Sequence, residues 1–295
     1  MITYRKIDYS KHSDKAEIVR MYRDIFQVDF AEEYDFLFGT REDCDPLGIV
    51  AIDPERERVV GHFTTIAFTA LIDEKPSRFR MSMGFMTDPE YRGQGIATNL
   101  YFELKKAILA AGDGTCFIIG FPNENSVHMH VARMEYQEFR RFHFVRLPND
   151  AGAEAAEFTR IDAVTLADPD ARNEGSNRVQ HTSAFLNFRF ADEKYEKYIS
   201  DSGNVYICTR FRDKFDILYW SDCRNEKELL AFARFLYGRE GVARVTTWNS
   251  LDYLDKYPAE EREYHMCINY LNNTEEQQAE IDKPWIFLMG DCELF

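Results

Sequence analysis

Arg92-Gly93-Gln94-Gly95 stands directly before a stretch in which Ile96, Leu100, Leu104, Ala107, Ile108 and Ala111 recur at helical steps. That spacing predicts an amphipathic helix over residues 96–111. The first turn of a helix leaves backbone N–H groups without partners and carries a partial positive charge. Gly93 and Gly95 lack a Cβ, so an anion can come close to the backbone there, and Arg92 adds a full charge. The chemistry that these residues suit is the gripping of a pyrophosphate. The string is not a P-loop, because no Gly-Lys-Ser/Thr closes it, and it lacks the third glycine of the dinucleotide fingerprint. A Gly-x-Gly by itself is as often a plain turn; the flanking elements make this one a cradle. Residues 81–87 read as an apolar strand before it, Gly112 suits a left-handed helix end, and residues 116–119 read as a buried strand after it.

Arg92-x-x-Gly95-x-Ala97, set between a strand and a helix, resembles the acyl-CoA signature of the GNAT superfamily of N-acyltransferases. The resemblance implies an α+β fold on a mixed sheet and an enzyme that moves an acyl group, most simply acetyl, from acyl-CoA to a primary amine. It implies CoA contacts along Phe85, Met86 and Thr87 at the end of the fourth strand, and along Arg92, Gly93, Gln94, Gly95, Ile96, Ala97 and Thr98. Asn123 and Asn125, just past the fifth strand, would bind the pantetheine amides or position substrate; ordinary turn chemistry is the equal alternative.

Amide formation needs a neutral amine, a donor for the oxyanion and a proton for the departing thiolate. The oxyanion donor is expected near Phe85-Met86. Many family members carry a tyrosine acid in the helix after the fifth strand. The matching position here is Val131 or Ala132, and neither can donate. The remaining candidates are His128, His130 and, with a shift of register, Tyr136. A helical histidine serves structure more often than chemistry. Asp88 reads as a turn initiator before Pro89.

Residues 121–126, Phe-Pro-Asn-x-Asn-Ser, are similar to a GNAT subgroup associated with bacterial surface-polysaccharide and amino-sugar acylation. This implies a nucleotide-linked amino sugar as acceptor. The acidity of the chain points instead to a polyamine, an aminoglycoside or a peptide amine, and loss of the tyrosine acid to a non-catalytic acyl-CoA-binding module.

Around this unit, residues 2–7 read as a strand and 12–28 as a helix with Ser13-Asp14 at its cap. Aromatic residues Phe30, Tyr34, Phe36 and Phe38 then line an acceptor pocket or cover the sheet. Residues 48–53, 59–71 and 79–87 follow as three strands. Ser126 is the expected cap of a helix reaching Met134, and residues 139–147 read as a strand, with 157–164 as its partner. Much of 148–176 reads as linker. Later, 185–190 alternates as a strand would, 204–210 and 214–220 form a hairpin about Arg212-Asp213, 226–237 is helical, and strands recur at 242–248, 264–270 and 285–289. Two domains are expected: a GNAT-like acyl-CoA-binding catalytic domain over 1–166, and a degenerate GNAT-like or α+β domain over 177–295 that completes the acceptor pocket. The loop of the second, Ser221-Asp222-Cys223-Arg224-Asn225-Glu226, has no glycine and places acids where a phosphate would sit.

Composition bounds the rest. The chain has 295 residues and a net charge of -15, a field that repels nucleic acid and also CoA, so any CoA site must be locally positive. No apolar run is long enough to span a membrane. Cys44, Cys116, Cys208, Cys223, Cys267 and Cys292 form no Cys-x-x-Cys pair, which argues against a metal site and for reduced thiols in a cytoplasm. The expected partners are a small-molecule amine and acetyl-CoA or another acyl-CoA, without metal, nucleic acid or membrane; a homodimer is one assembly these features allow.

Overall fold

The computed structural model describes residues 1–38, 45–149, 156–166, 173 and 175–292. Cys44, the terminal residues 293–295 and parts of the 148–176 linker lie outside the described residues. In chain order the elements are β1 (Thr3–Lys6), α1 (His12–Phe26), α2 (Ala31–Phe38), β2 (Pro46–Asp53), β3 (Arg58–Ile72), β4 (Lys75–Thr87), α3 (Ile96–Ala111), β5 (Thr115–Gly120), α4 (Glu124–Arg133) and β6 (Gln137–Arg146). There follow β7 (Phe158–Ile161), β8 (Asn177–Val179), α5 (Ser183–Arg189), β9 (Tyr195–Ser200), β10 (Val205–Phe211), β11 (Lys214–Trp220), α6 (Glu226–Tyr237), β12 (Arg244–Trp248), β13 (Ala259–Tyr270), α7 (Glu275–Ile281) and β14 (Trp285–Ile286).

Helices and strands mix in one α/β architecture. Contacts divide the chain into two compact units, and the division is not a single cut. The first unit holds residues 1–69, 77–140 and 265–278; the second holds 70–76, 141–264 and 279–295. Part of β13 therefore returns to the first unit, where Cys267 to Tyr270 run antiparallel to Gly120 to Phe117 of β5.

In the first unit, β1, β2 and β3 are antiparallel neighbours, and β4 joins β5 in parallel through α3. Alternation along the strands sends side chains to two layers. Ile49 and Ala51 of β2 pack with Ile96, Leu100, Leu104 and Ile108 of α3 on one face. Val50 packs with Ile18 and Met21 of α1 and Tyr34 and Phe38 of α2 on the other. Tyr34 and Phe38 of α2 are thus core side chains that cover the sheet, while Phe36 is only partly buried.

Several local expectations are corrected. The cap of α1 is Lys11, which makes no side-chain cap bond. Asp14 instead binds Arg5 at 2.6 and 2.7 Å, an ion pair between helix and strand that outcompetes the cap geometry. Asn123, not Ser126, caps α4; its side chain accepts from the Ser126 N–H at 3.1 Å. Strand β7 pairs with β9 rather than with β6. Residues 183–189 form helix α5, because Thr182 caps it and Leu186 is buried on one side, although the polar alternation there looks like a strand.

The second unit repeats the order of the first: antiparallel β9, β10 and β11, then α6, then β12 parallel to β11. The start of α6 differs from that of α3. Glu226 and Glu228 lie in its first turn, and Asn225 already accepts the Glu228 N–H at 3.2 Å. Negative charge and a filled cap leave that helix start unsuited to phosphate.

Candidate active site

The loop after β4 begins with Asp88, whose carboxylate accepts the Glu90 N–H at 3.1 Å and caps a short 3-10 turn, Pro89–Tyr91. Arg92 follows, exposed, its Nε bonded to the Thr87 carbonyl at 3.3 Å. Gly93 and Gly95 adopt φ of 78° and 77°, a conformation that L side chains resist. A Cβ added at either glycine would meet no atom within 4 Å. The space in front of the backbone is therefore open, and the glycines are required by conformation and by approach, not by packing.

Helix α3 begins at Ile96 with Gly95 as its cap, so no side chain occupies the cap position, and no acid stands in its first turn. The opening N–H groups of the helix have no intrahelical acceptor. The carboxylates nearest in the chain are tied elsewhere. Asp88 meets Arg58 at 2.8 Å, Glu90 meets Arg56 at 3.0 Å, and Asp53 takes the Tyr91 hydroxyl at 2.6 Å. In a chain of net charge -15 the two arginine pairs offset the charges of Asp88 and Glu90 beside Arg92. Gly93, Gln94, Gly95, Ile96, Ala97 and Thr98 together with Arg92 thus form a site that fits the diphosphate of CoA.

Beside the cradle, β4 and β5 part. Their parallel register runs from Arg78 against Thr115 to Met81 against Ile119, and β4 continues alone on that side to Thr87. Gly84 lies in the unmatched part with φ of 55°. Met83 and Met86 pack in the α1/α2 layer, while Phe85 packs in the α3 layer. The alternation has slipped by one residue, as one extra residue in a strand demands. Gly84 is the residue that sequence reading passed over. A glycine inside an apolar strand, Met83-Gly84-Phe85, was the available signal.

The Gly84 carbonyl accepts from His62 Nδ1 of β3 at 2.6 Å. His62 is fully buried, and burial pushes its pKa down to about 4 against the raising pull of that carbonyl. It is neutral at pH 7. Its Nε2 lies 2.7 Å from the Thr64 hydroxyl, which lies 2.7 Å from the Tyr9 hydroxyl.

Two of the three expected catalytic side chains come together against β4. The Tyr136 hydroxyl lies 3.0 Å from the hydroxyl of Ser82, the first β4 residue beyond the matched register. Burial drives its pKa upward, and the Ser82 bond only partly opposes this, so the phenol keeps its proton. His130 is buried, with its ring 5.5 Å from that of Phe85 and 5.2 Å from that of Tyr136, and its Nδ1 bonds the Ser126 carbonyl at 2.9 Å. Burial lowers its pKa despite that bond, which leaves a neutral imidazole. His128 is exposed on α4. Asn123 is engaged as the α4 cap, and Asn125 is exposed in the first turn of that helix. Among the described residues no group of three or more His, Cys, Asp or Glu stands together as a metal site. Nor is any helix among them long and apolar enough to cross a membrane.

The family model for the acetyltransferase (GNAT) family matches residues 15–136, which run from within α1 through α4 and include the whole of the cradle. No curated protein matches the sequence. Solved structures are similar at the level of fold. A GCN5-related N-acetyltransferase from Anabaena variabilis ATCC 29413 superposes with a TM-score of 0.66 at 14% identity, over 92% of this chain and 73% of the other. One from Kribbella flavida gives 0.65 at 10% identity, over 92% and 72%. Saccharomyces cerevisiae N-myristoyltransferase with bound myristoyl-CoA gives 0.58 at 9% identity, over 91% and 82%. With its signature loop, its parted strands and its matched stretch all in one unit, this chain carries over residues 15–136 a domain of the acetyltransferase (GNAT) family, whose members are acyl-CoA-dependent N-acyltransferases.

Proposed function

We propose that the chain transfers an acetyl group from acetyl-CoA to a primary amine of a small molecule. The observation that carries this reading is the open glycine cradle at the start of α3, next to the point where β4 leaves β5. Bound acetyl-CoA supplies an activated thioester. Arg92 and the amides from Gly93 to Thr98 hold the diphosphate. The Phe85 N–H donates to the carbonyl oxygen on which negative charge develops. Tyr136, neutral and beside Ser82, protonates the departing thiolate; burial keeps its proton in place until then and also makes the phenol a weaker acid. His130, kept unprotonated by burial, accepts the proton that the amine loses. His128 has no role in this sequence.

A nucleotide-linked amino sugar is the first acceptor to test, on the strength of residues 121–126. Polyamines, aminoglycosides and peptide amines form the second group, suggested by the net charge of -15. Incubation of the full chain with acetyl-CoA and each amine should release free thiol, read with a chromogenic disulfide. Release with one class and not the others assigns the acceptor. CoA binding without thiol release on any amine, across short and long acyl-CoAs, would overturn the catalytic reading in favour of a binding module.

A further inference from the structure

We propose that His62 is a positioning residue that sets the direction of the Phe85 N–H, the donor for the acyl carbonyl, through its bond to the Gly84 carbonyl. The proposal rests on the acyl-transfer reading above and adds to it a residue on a neighbouring strand. Its logic is one of hydrogen-bond direction. A carbonyl only accepts, so His62 Nδ1 carries the proton in the 2.6 Å contact with Gly84. The neutral ring then accepts at Nε2, and the Thr64 hydroxyl must donate to it. The proton of Thr64 being spent, the Tyr9 hydroxyl must donate to Thr64 Oγ1. Every donor points one way, from Tyr9 through Thr64 and His62 to the Gly84 carbonyl.

That carbonyl belongs to the same peptide as the Phe85 N–H. No peptide in the described structure is cis, and a trans peptide holds its C=O and N–H in one plane, directed oppositely. Fixing the carbonyl toward His62 on β3 directs the Phe85 N–H away from β3. The opposite side of β4 is the side on which its register with β5 has ended. The backbone around this relay is built to admit it. A Cβ at Gly48 would overlap both the Tyr9 and Thr64 hydroxyls, and a Cβ at Gly84 would overlap the Tyr22 hydroxyl and stand 3.0 Å from the His62 ring. Glycines at both positions leave room for the relay and for the bulge that it holds. A buried histidine is costly in a core unless both ring nitrogens are bonded, and the Gly84 carbonyl and the Thr64 hydroxyl meet that need here.

The test uses the full chain with acetyl-CoA labelled with carbon-13 at the thioester carbonyl, observed by difference infrared spectroscopy, together with CoA affinity and thiol-release kinetics. In the unaltered protein the bound carbonyl band should lie below that of free acetyl-CoA. His62→Phe should return the band toward the free position and lower kcat about tenfold or more, because a misaimed oxyanion donor loses most of its effect. The CoA dissociation constant should change less than about threefold, since the cradle lies elsewhere on the loop. His62→Asn places an amide donor near the position of Nδ1 and should restore both the band and most of kcat, which a purely packing role would not do. Thr64→Val leaves the imidazole in place and removes the donor that fixes its tautomer; it should give an intermediate band, and it serves if His62→Phe does not fold. Acetyl-CoA that binds with the same band in the unaltered protein, His62→Phe and Thr64→Val overturns the role of His62 while leaving the acyl-transfer reading standing. Acetyl-CoA that does not bind at all overturns both.

Discussion

Substitution of Gly95 by glutamate separates the backbone role of the cradle from its electrostatic one. Gly95 has φ of 77° and open space around the Cβ position, so the fold itself should accept a side chain at the cost of left-handed strain alone. That strain is about 1 to 2 kcal/mol. The effect on CoA is larger. A carboxylate about 4 Å from a diphosphate charge repels it by ~1 kcal/mol in water and ~4 kcal/mol at the effective dielectric of a protein surface. An exposed loop lies between those limits, and a diphosphate carries more than one charge, so about 2 to 4 kcal/mol is expected, a loss of roughly 30- to 700-fold in affinity. Calorimetric titration with CoA measures it, and thermal unfolding records the strain. Gly203 is the matched control: its φ is 81°, no atom lies within 4 Å of its Cβ position, and it belongs to the second unit. Gly203→Glu should show a similar stability loss and unchanged CoA affinity. Equal CoA affinity in Gly95→Glu and the unaltered protein, with the stability loss present, would refute the placement of the diphosphate at α3.

Other expectations follow from buried and paired groups. His62 is neutral when folded, with a pKa of about 4 against 6.5 unfolded, so the unfolded chain binds the extra proton. Its contribution is fully present above pH 6.5 and is lost as pH falls toward 4, by about 3 kcal/mol over that window. Urea unfolding at several pH values should show a slope in that window that is missing in His62→Asn. Arg80 is fully buried and binds Asp113 and Asp45, each at 2.7 Å. Arg80→Ala should cost about 2 to 4 kcal/mol, discounted from a fully buried pair because Asp45 is exposed, and more than Arg78→Ala; urea midpoints decide the order. Of the described cysteines, Cys116 is partly exposed and the other four are buried. Maleimide labelling with peptide mapping should modify Cys116 first, slowly at neutral pH because burial raises its thiol pKa, and the others only on unfolding.

The cradle was legible in the sequence because every part of it is local. Gly93, Gly95 and the face Ile96–Leu100–Leu104–Ile108 lie within one turn and one helix, and helix periodicity and glycine conformation depend only on near neighbours. The strands on either side and the hairpin at Arg212, with its φ of 58°, were readable for the same reason. What the linear order could not decide is which distant side chains compete for a group. Asp14 was a plausible cap until Arg5 of β1 came within 2.6 Å. Residues 183–189 alternate in polarity, yet burial of Leu186 on one side made them a helix. Part of β13 joins β5 across well over a hundred residues, a pairing that no local pattern encodes. The meeting of His62 with Gly84, and of Tyr136 with Ser82, exists only once β3, β4 and the start of β6 are packed. Residue type and spacing therefore determined the open glycine loop at the start of α3. The hydrogen bonds that join His62 to Gly84 and Tyr136 to Ser82, set by contacts between strands far apart in the chain, were decided by tertiary structure alone.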